Sequence, residues 1–160
     1  MVRAFVGLGS NLGDRKANIA NSLQLLSRAE GIHLIDRSSN YETEPIGPTQ
    51  PWFINSAIEI QTSLSPEDLL DGCKEVEKRI GRVDSLHWGP RLVDLDLLLY
   101  GDRVIEKDNI DVPHSQMAKR KFVLLPLLEL DSELIHPKLG RPLKELLTKT
   151  EEDKKVIKIQ

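Results

Sequence analysis

Apolar positions along the chain switch between two spacings, and the switches mark its elements. The continuous apolar run Ala4 to Leu8 predicts a buried strand. Gly9-Ser10-Asn11-Leu12-Gly13 follows as a turn. Ile19, Leu23 and Leu26 then recur at helical spacing, in a helix capped by Asp14, running to about Ala29 and stopped by Gly31. Ile32 to Tyr41 reads as a strand. Thr43 to Pro51 holds three prolines, which restrict it to an ordered loop. Phe53 to Thr62 is a further strand, with Ala57 and Ile58 in its middle. Ser65-Pro66-Glu67-Asp68 is a helix start: a capping serine, proline at the first position, acids in the first turn. Leu69, Leu70, Cys73, Val76 and Ile80 carry that helix to Gly81. A polar loop leads to an apolar strand that opens at Asp94. Gly101-Asp102 is a turn, with Val104-Ile105 expected as a return strand. Pro113-His114 opens an irregular segment. Phe122 to Leu130 is expected to be helical despite Pro126, Pro142 to Leu147 a short helix, and Val156 to Ile159 an edge strand.

The order β-α-β-β-α-β breaks the strict alternation of a doubly wound sheet, because two strands follow one another without a helix. It predicts an α+β fold with a ferredoxin-like core, an antiparallel sheet with helices packed on one face. At 160 residues a single domain over 1–160 with one core is expected. Hydrophobic residues make up 39% and charged residues 29%, an ordinary soluble mixture, and the net charge of −3 argues against a nucleic-acid-binding surface. The lone Cys73 excludes a disulfide framework and a cysteine-based zinc site, and reads as a half-buried helix residue. The apolar start is too short for a signal segment and no run reaches the length of a membrane span, so a cytoplasmic protein is expected.

The chemistry concentrates between Gly81 and Tyr100. Asp94 and Asp96 stand two apart at the head of an apolar strand, so they project from one face. Adjacent carboxylates repel unless a cation joins them, and Mg2+, with phosphate oxygens and water completing its shell, suits such a pair. Arg82 and Arg91 lie just upstream as permanent cations suited to forked phosphate contacts. Trp88 beside Gly89-Pro90 either caps the core or forms a flat wall for a heteroaromatic ring. Asn55, in an apolar strand, can read a ring through its amide, and Phe53 and Phe122 either stack on that ring or fill the core. His114 is either a hydrogen-bonded loop residue or a phosphate contact, and His33 and His136 read as structural. Gly7-Leu8-Gly9-Ser10-Asn11-Leu12-Gly13 resembles a dinucleotide turn, but its third glycine is one residue late and only one βαβ unit follows, so a tight strand-to-helix turn is the better reading. No Gly-Lys-Ser/Thr phosphate loop occurs, and no Ser-His-Asp or Cys-His order supports covalent catalysis.

Four blocks stand in a recognisable order. They are Gly7 to Asp14, Tyr41 to Pro48 with Gln50 to Ala57, Trp88-Gly89-Pro90-Arg91-Leu92-Val93-Asp94-Leu95-Asp96, and Val112-Pro113-His114 with Arg120 and Phe122. Together they resemble the 6-hydroxymethyl-7,8-dihydropterin pyrophosphokinases of folate biosynthesis, from about residue 4 to residue 137. The resemblance implies a three-layered α-β-α molecule. It implies transfer of diphosphate from ATP to the pterin hydroxymethyl group, with release of AMP, and two Mg2+ ions bridged by Asp94 and Asp96. It places Glu77, Arg82, Trp88, Arg91, Leu97, His114 and Arg120 around ATP, and Thr43, Ile46, Phe53, Asn55, Trp88 and Phe122 around the pterin. Arg82, Arg91, Asp94 and Asp96 are then the catalytic set. ATP and the pterin are the expected partners, with neither nucleic acid nor membrane, and the chain is expected to act as a monomer, a dimer being the alternative.

The chain departs from the family pattern at several positions. His87 replaces a basic residue before the tryptophan, Asp84 replaces another in a loop one residue short, and Phe53 stands where a tyrosine is common. Ser115, Asn109 and Asp111 also differ, and no nucleotide contact is carried onto Asp84, Ser115, Asn109 or Asp111. Two rival readings are a pterin-binding module without transfer and a metal-dependent phosphohydrolase. The retained carboxylate pair opposes the first, and Asn55 with its aromatic neighbours opposes the second.

Overall fold

A computed structural model of the chain describes residues 1–81, 92–107 and 109–159. Its elements are β1 (Val2–Ser10), α1 (Arg15–Arg28), β2 (Ile32–Arg37), β3 (Tyr41–Thr43), β4 (Phe53–Thr62), α2 (Pro66–Gly81) and β5 (Asp94–Tyr100). They continue through β6 (Ile105–Lys107), β7 (Ile110–Val112), a 3-10 turn (Met117–Lys119), α3 (Lys121–Leu130), β8 (Ile135–His136), β9 (Arg141–Pro142), α4 (Leu143–Lys149) and β10 (Val156–Lys158). The main sheet runs β10-β3-β4-β1-β5, with β2 also paired to β4, and every pairing is antiparallel. This is the ferredoxin-like order expected from the β-α-β-β-α-β pattern.

Alternation along the central strands splits the core in two. Ala4, Val6 and Leu8 of β1, Ile54, Ile58 and Ile60 of β4, and Leu95 and Leu97 of β5 pack under α1 and α2. Phe5, Ala57, Leu98 and Leu99 face the other way, against α3 and α4 through Leu124, Leu127, Leu143 and Leu146. The result is a three-layered α-β-α molecule. Cys73 is wholly buried in the first core rather than half-buried as expected, and burial pushes its thiol up to about 12, so it is an inert core residue.

The helix starts follow local chemistry. The Asp14 carboxylate accepts the N–H of Ala17 at 3.1 Å, and the Ser65 hydroxyl accepts that of Asp68 at 3.1 Å. Two expected strands differ. Ile32 to Tyr41 is interrupted at residues 38–40, where polar side chains compete with the ladder: the Ser38 hydroxyl accepts the Ala57 N–H at 2.9 Å, and Ser39 donates to Glu129 through its N–H and its hydroxyl. Val104 lies outside any strand, and Ile105 starts β6, which pairs with β7 and not with β5. Among the described residues, β1 is therefore the strand partner of β5, and side chains and loops reach its other edge.

Candidate functional site

Strand register assembles the floor of one cavity. Gly9 of β1 pairs with Asn55 of β4 on one side and Asp94 of β5 on the other. One pleat along, Gly7 pairs with Ala57 and with Asp96. Residues two apart share a face, so Asn55, Ala57, Asp94 and Asp96 flank a strip of two glycines. A side chain on that strip would fill the site: a Cβ at Gly9 would lie 2.6 Å from Asn55 Oδ1, and one at Gly7 3.2 Å from Leu98 Cδ1. A glycine inside a strand marks such a close approach. The spacing of Gly7 and Gly9 carried that signal, although the sequence alone read this stretch as ending in a turn.

The cavity above this floor has a volume of about 250 Å³. Thr43, Ile46, Phe53 and Asn55 line it from β3, the following loop and β4, Asp94 and Asp96 from β5, and Arg120 and Phe122 from the start of α3. Eight of the site residues expected from sequence thus meet in one place. Asn55 is 8% exposed, and its Nδ2 donates to Thr43 Oγ1 at 2.6 Å, which turns the amide oxygen toward Gly9. The Arg120 guanidinium sits 5.7 Å from the Phe122 ring centroid, so one wall combines an aromatic face with a cation.

The loop between β3 and β4 is held at both ends. The Glu44 N–H donates to the Lys155 carbonyl at 2.9 Å, and the Lys155 N–H returns a bond to the Glu44 carboxylate at 3.1 Å. At the far end Asn11 Nδ2 donates to the Pro51 carbonyl at 3.1 Å, and Arg15 donates to the Trp52 carbonyl at 2.9 Å. The prolines leave this loop few alternatives, and these clamps select among them.

The other expected residues lie elsewhere. The Leu97 side chain is buried in the first core, on the face opposite Asp96, so only its backbone can meet a ligand at the β5 edge. Glu77 of α2 sits at that edge, and its carboxylate accepts the Leu95 N–H at 2.8 Å. His114 is half-buried beside the same strand: its N–H donates to the Leu98 carbonyl at 3.1 Å, and its Nδ1 accepts the Gln116 N–H at 3.3 Å. Arg82, Asp84, His87, Trp88 and Arg91 lie outside the described residues.

Among the described residues no group of three or more His, Cys, Asp or Glu side chains gathers as a metal site. Asp94 and Asp96 provide two oxygen donors beside an open floor, which fits a hard cation that draws its remaining ligands from phosphate and water. A cysteine- or histidine-rich transition-metal centre does not fit this donor set.

The family model for 7,8-dihydro-6-hydroxymethylpterin-pyrophosphokinase matches residues 5–132. A 2-amino-4-hydroxy-6-hydroxymethyldihydropteridine pyrophosphokinase of Methylorubrum extorquens is 40% identical over 150 residues, covering 93% of this chain and 94% of that protein. The enzyme of that name from Pseudomonas aeruginosa is 42% identical over 146 residues, covering 91% and 90%. The folic acid synthesis protein fol1 of Schizosaccharomyces pombe is 42% identical over 147 residues; the match covers 91% of this chain but spans only 20% of that longer protein. In three dimensions the chain resembles the Plasmodium falciparum HPPK-DHPS crystal structure with pteroate, at a TM-score of 0.76 and 15% identity, covering 92% of this chain and 44% of that one. That likeness supports the three-layered fold. The match over most of the chain, at about 40% identity to proteins of nearly the same length, shows that it belongs to the 7,8-dihydro-6-hydroxymethylpterin-pyrophosphokinase family.

Proposed function

We propose that the cavity on the β1-β4-β5 floor is where this chain carries out the family reaction, the Mg-dependent transfer of diphosphate from ATP to 6-hydroxymethyl-7,8-dihydropterin in folate biosynthesis. The carrying observation is the register that sets Asn55, Gly9 and Asp94 in one row across three strands. A ring reader and a phosphate-metal carboxylate then stand on either side of a bare backbone.

Thr43, Ile46, Phe53, Asn55 and Phe122 hold the pterin, with Trp88 as a further wall. The half-buried Phe53 and Phe122 offer stacking faces, and the Asn55 oxygen accepts from a ring N–H. The hydroxymethyl oxygen attacks the β-phosphorus, the bond from that phosphorus to the α-phosphate bridging oxygen breaks, and AMP departs with that oxygen. The hydroxyl proton passes to solvent or to an aspartate oxygen. Positioning and charge neutralisation dominate such a transfer. Asp94 and Asp96 are the residues that would hold Mg2+, two ions in this reading, which when bound neutralise phosphate charge and lower the alcohol pKa. Arg120, together with Arg82 and Arg91, supplies fixed positive charge toward the phosphates. Glu77 and His114 shape the β5 edge on which Leu97 presents its backbone to the nucleotide, and Trp88 contributes to the same nucleotide site.

We propose further that residues 1–160 work as one domain, since β10 near the end of the chain closes the sheet against β3. A monomer in the cytoplasm is the simplest form; among the described residues no helix is long and apolar enough to cross a membrane. The testing experiment is AMP release from Mg-ATP with and without the pterin, with the pterin product followed by mass. Pterin-dependent AMP with a diphosphorylated pterin is the expected result. Saturable pterin binding without AMP would favour the binding module, and phosphate release without pterin the hydrolase.

A further inference from the structure

Ser10 of the opening Gly7-to-Asp14 block does not line the cavity; together with Asn18 of α1 it makes a second structure beneath it. Ser10 is 1% exposed and Asn18 9% exposed. The Ser10 hydroxyl donates to the Leu92 carbonyl at 2.6 Å. Asn18 Nδ2 reaches the same carbonyl at 3.3 Å, the Leu12 carbonyl at 2.9 Å and Ser10 Oγ at 3.1 Å. Leu92 stands beyond the sheet ladder, whose final pair is Gly9 with Asp94. Its carbonyl therefore bonds to side chains of the β1–α1 corner where a strand partner would otherwise be needed. Val93, between this carbonyl and Asp94, is 1% exposed and packs in the first core.

We propose that Ser10 and Asn18 are positioning residues for the metal-binding carboxylates: a buried clasp that fixes Leu92, two residues before β5, and through it Asp94, the first residue of that strand. The inference rests on the proposed role of Asp94 and Asp96. The physical reason is the weakness of strand ends. A terminal strand residue frays unless something beyond the ladder holds it, and a carboxylate serving a metal must be held to within about 0.5 Å. A buried polar group persists only when satisfied, so a serine and an asparagine converging on one carbonyl make a geometrically exacting clasp. Apolar residues of similar size could fill the space but could not hold that carbonyl.

The test compares Ser10→Ala, Asn18→Ala and Asn18→Asp with the wild type. Ser10→Thr serves as the conservative rescue. Ser22→Ala is the control, since the Ser22 hydroxyl donates to the Asn18 backbone carbonyl at 2.7 Å in the same buried helix face and not to the Leu92 carbonyl. Mn2+ binding in the presence of a non-hydrolysable ATP analogue is followed by EPR, pterin binding by fluorescence, and AMP release as a function of Mg2+ concentration. Loss of the clasp is expected to weaken Mn2+ binding and to raise the half-saturating Mg2+ concentration by about 10- to 100-fold, the range seen when groups supporting metal ligands are removed. Pterin affinity should stay near wild type, Ser10→Thr should recover most of the metal affinity, and Ser22→Ala should leave it unchanged. Folded Ser10 and Asn18 variants with wild-type Mn2+ affinity would overturn the proposal, as would a parallel loss of metal and pterin binding, which marks general loosening. If one variant fails to fold, the others decide by the same readout. A wild type that binds Mn2+ with the analogue but makes no pterin-dependent AMP would sink the proposed function, while the Mn2+ comparison would still judge the clasp. A wild type that binds no Mn2+ would overturn both.

Discussion

Gly9 shows how one missing methyl group makes a site. Its bare Cα lets the Asn55 amide oxygen occupy the floor, 2.6 Å from where a Cβ would stand. Gly9→Ala must displace the Asn55 side chain, break its bond to Thr43, or both. Losing one buried, oriented hydrogen bond costs about 1–3 kcal/mol, roughly 5- to 150-fold in affinity. Pterin binding measured by fluorescence should weaken within that range; unchanged affinity would remove Asn55 from the pterin site. Asp96 makes the opposite case. It is exposed on the cavity side of β5, so Asp96→Ala should leave the circular dichroism spectrum intact while abolishing AMP release. Near wild-type turnover in that folded variant would refute the metal role. His87, which precedes Trp88 in the segment outside the described residues, yields a prediction from sequence alone. Histidine loses its charge between pH 6 and pH 8 whereas arginine does not, so His87→Arg should tighten ATP binding more at pH 8 than at pH 6. Equal effects at the two pH values would show that the charge is irrelevant there.

At the scale of elements, α3 has to be held against the sheet if Phe122 and Arg120 are to wall the cavity. The brace is Glu129, seven residues beyond Phe122 on α3. Its carboxylate accepts the Tyr41 hydroxyl at 2.6 Å, the Ser39 N–H at 2.8 Å and the Ser39 hydroxyl at 2.9 Å. Burial pushes the Glu129 carboxyl up, but these donors and Lys158 outweigh it and hold it below its ordinary value of 4.5. The same contact, with burial the larger cause, pushes the Tyr41 hydroxyl far up, so it remains a donor throughout the working range. The folded carboxyl is the stronger acid, so the stabilisation is complete above the ordinary glutamate value and fades as pH falls through the lowered folded value. The Tm difference between wild type and Glu129→Gln should therefore be largest near neutrality and shrink below pH 4.5. A difference independent of pH would show that ionisation of Glu129 adds nothing to the brace.

For the whole molecule, two cores of unequal duty sit on either side of one sheet. The first, under α1 and α2, holds the strands in register. The second, under α3 and α4, carries the cavity wall. Leu124 is fully buried in the second core two residues after Phe122, so Leu124→Ala should cost about 2–5 kcal/mol. Calorimetry should show Tm lower by roughly 4–20 °C, with pterin affinity reduced as well because the wall loosens. Loss of stability without loss of pterin affinity would separate α3 packing from the site. Metal removal should act on chemistry alone, because the buried clusters are built from apolar side chains and neither Asp94 nor Asp96 belongs to them. Chelation with EDTA is expected to stop AMP release and leave Tm unchanged; a large fall in Tm would make the ion structural.

Local chemistry already determined much of this protein. The helix caps at Asp14 and Ser65, the β4 run from Phe53 to Thr62, and the pairing of Asp94 with Asp96 were all legible, because each depends on spacing within a few residues. So were four ordered motifs that together mark the family. Other features arise between segments distant in sequence. The break after Arg37 depends on Ser38 and Ser39 meeting β4 and Glu129, and β6 turns to β7 for its partner. The strip of Gly7 and Gly9 becomes a floor only when β4 and β5 flank β1. Sequence spacing decides which face a residue takes relative to its neighbours. Only the tertiary pairing of strands decides what that face looks upon, since it is set by register and packing across tens of residues.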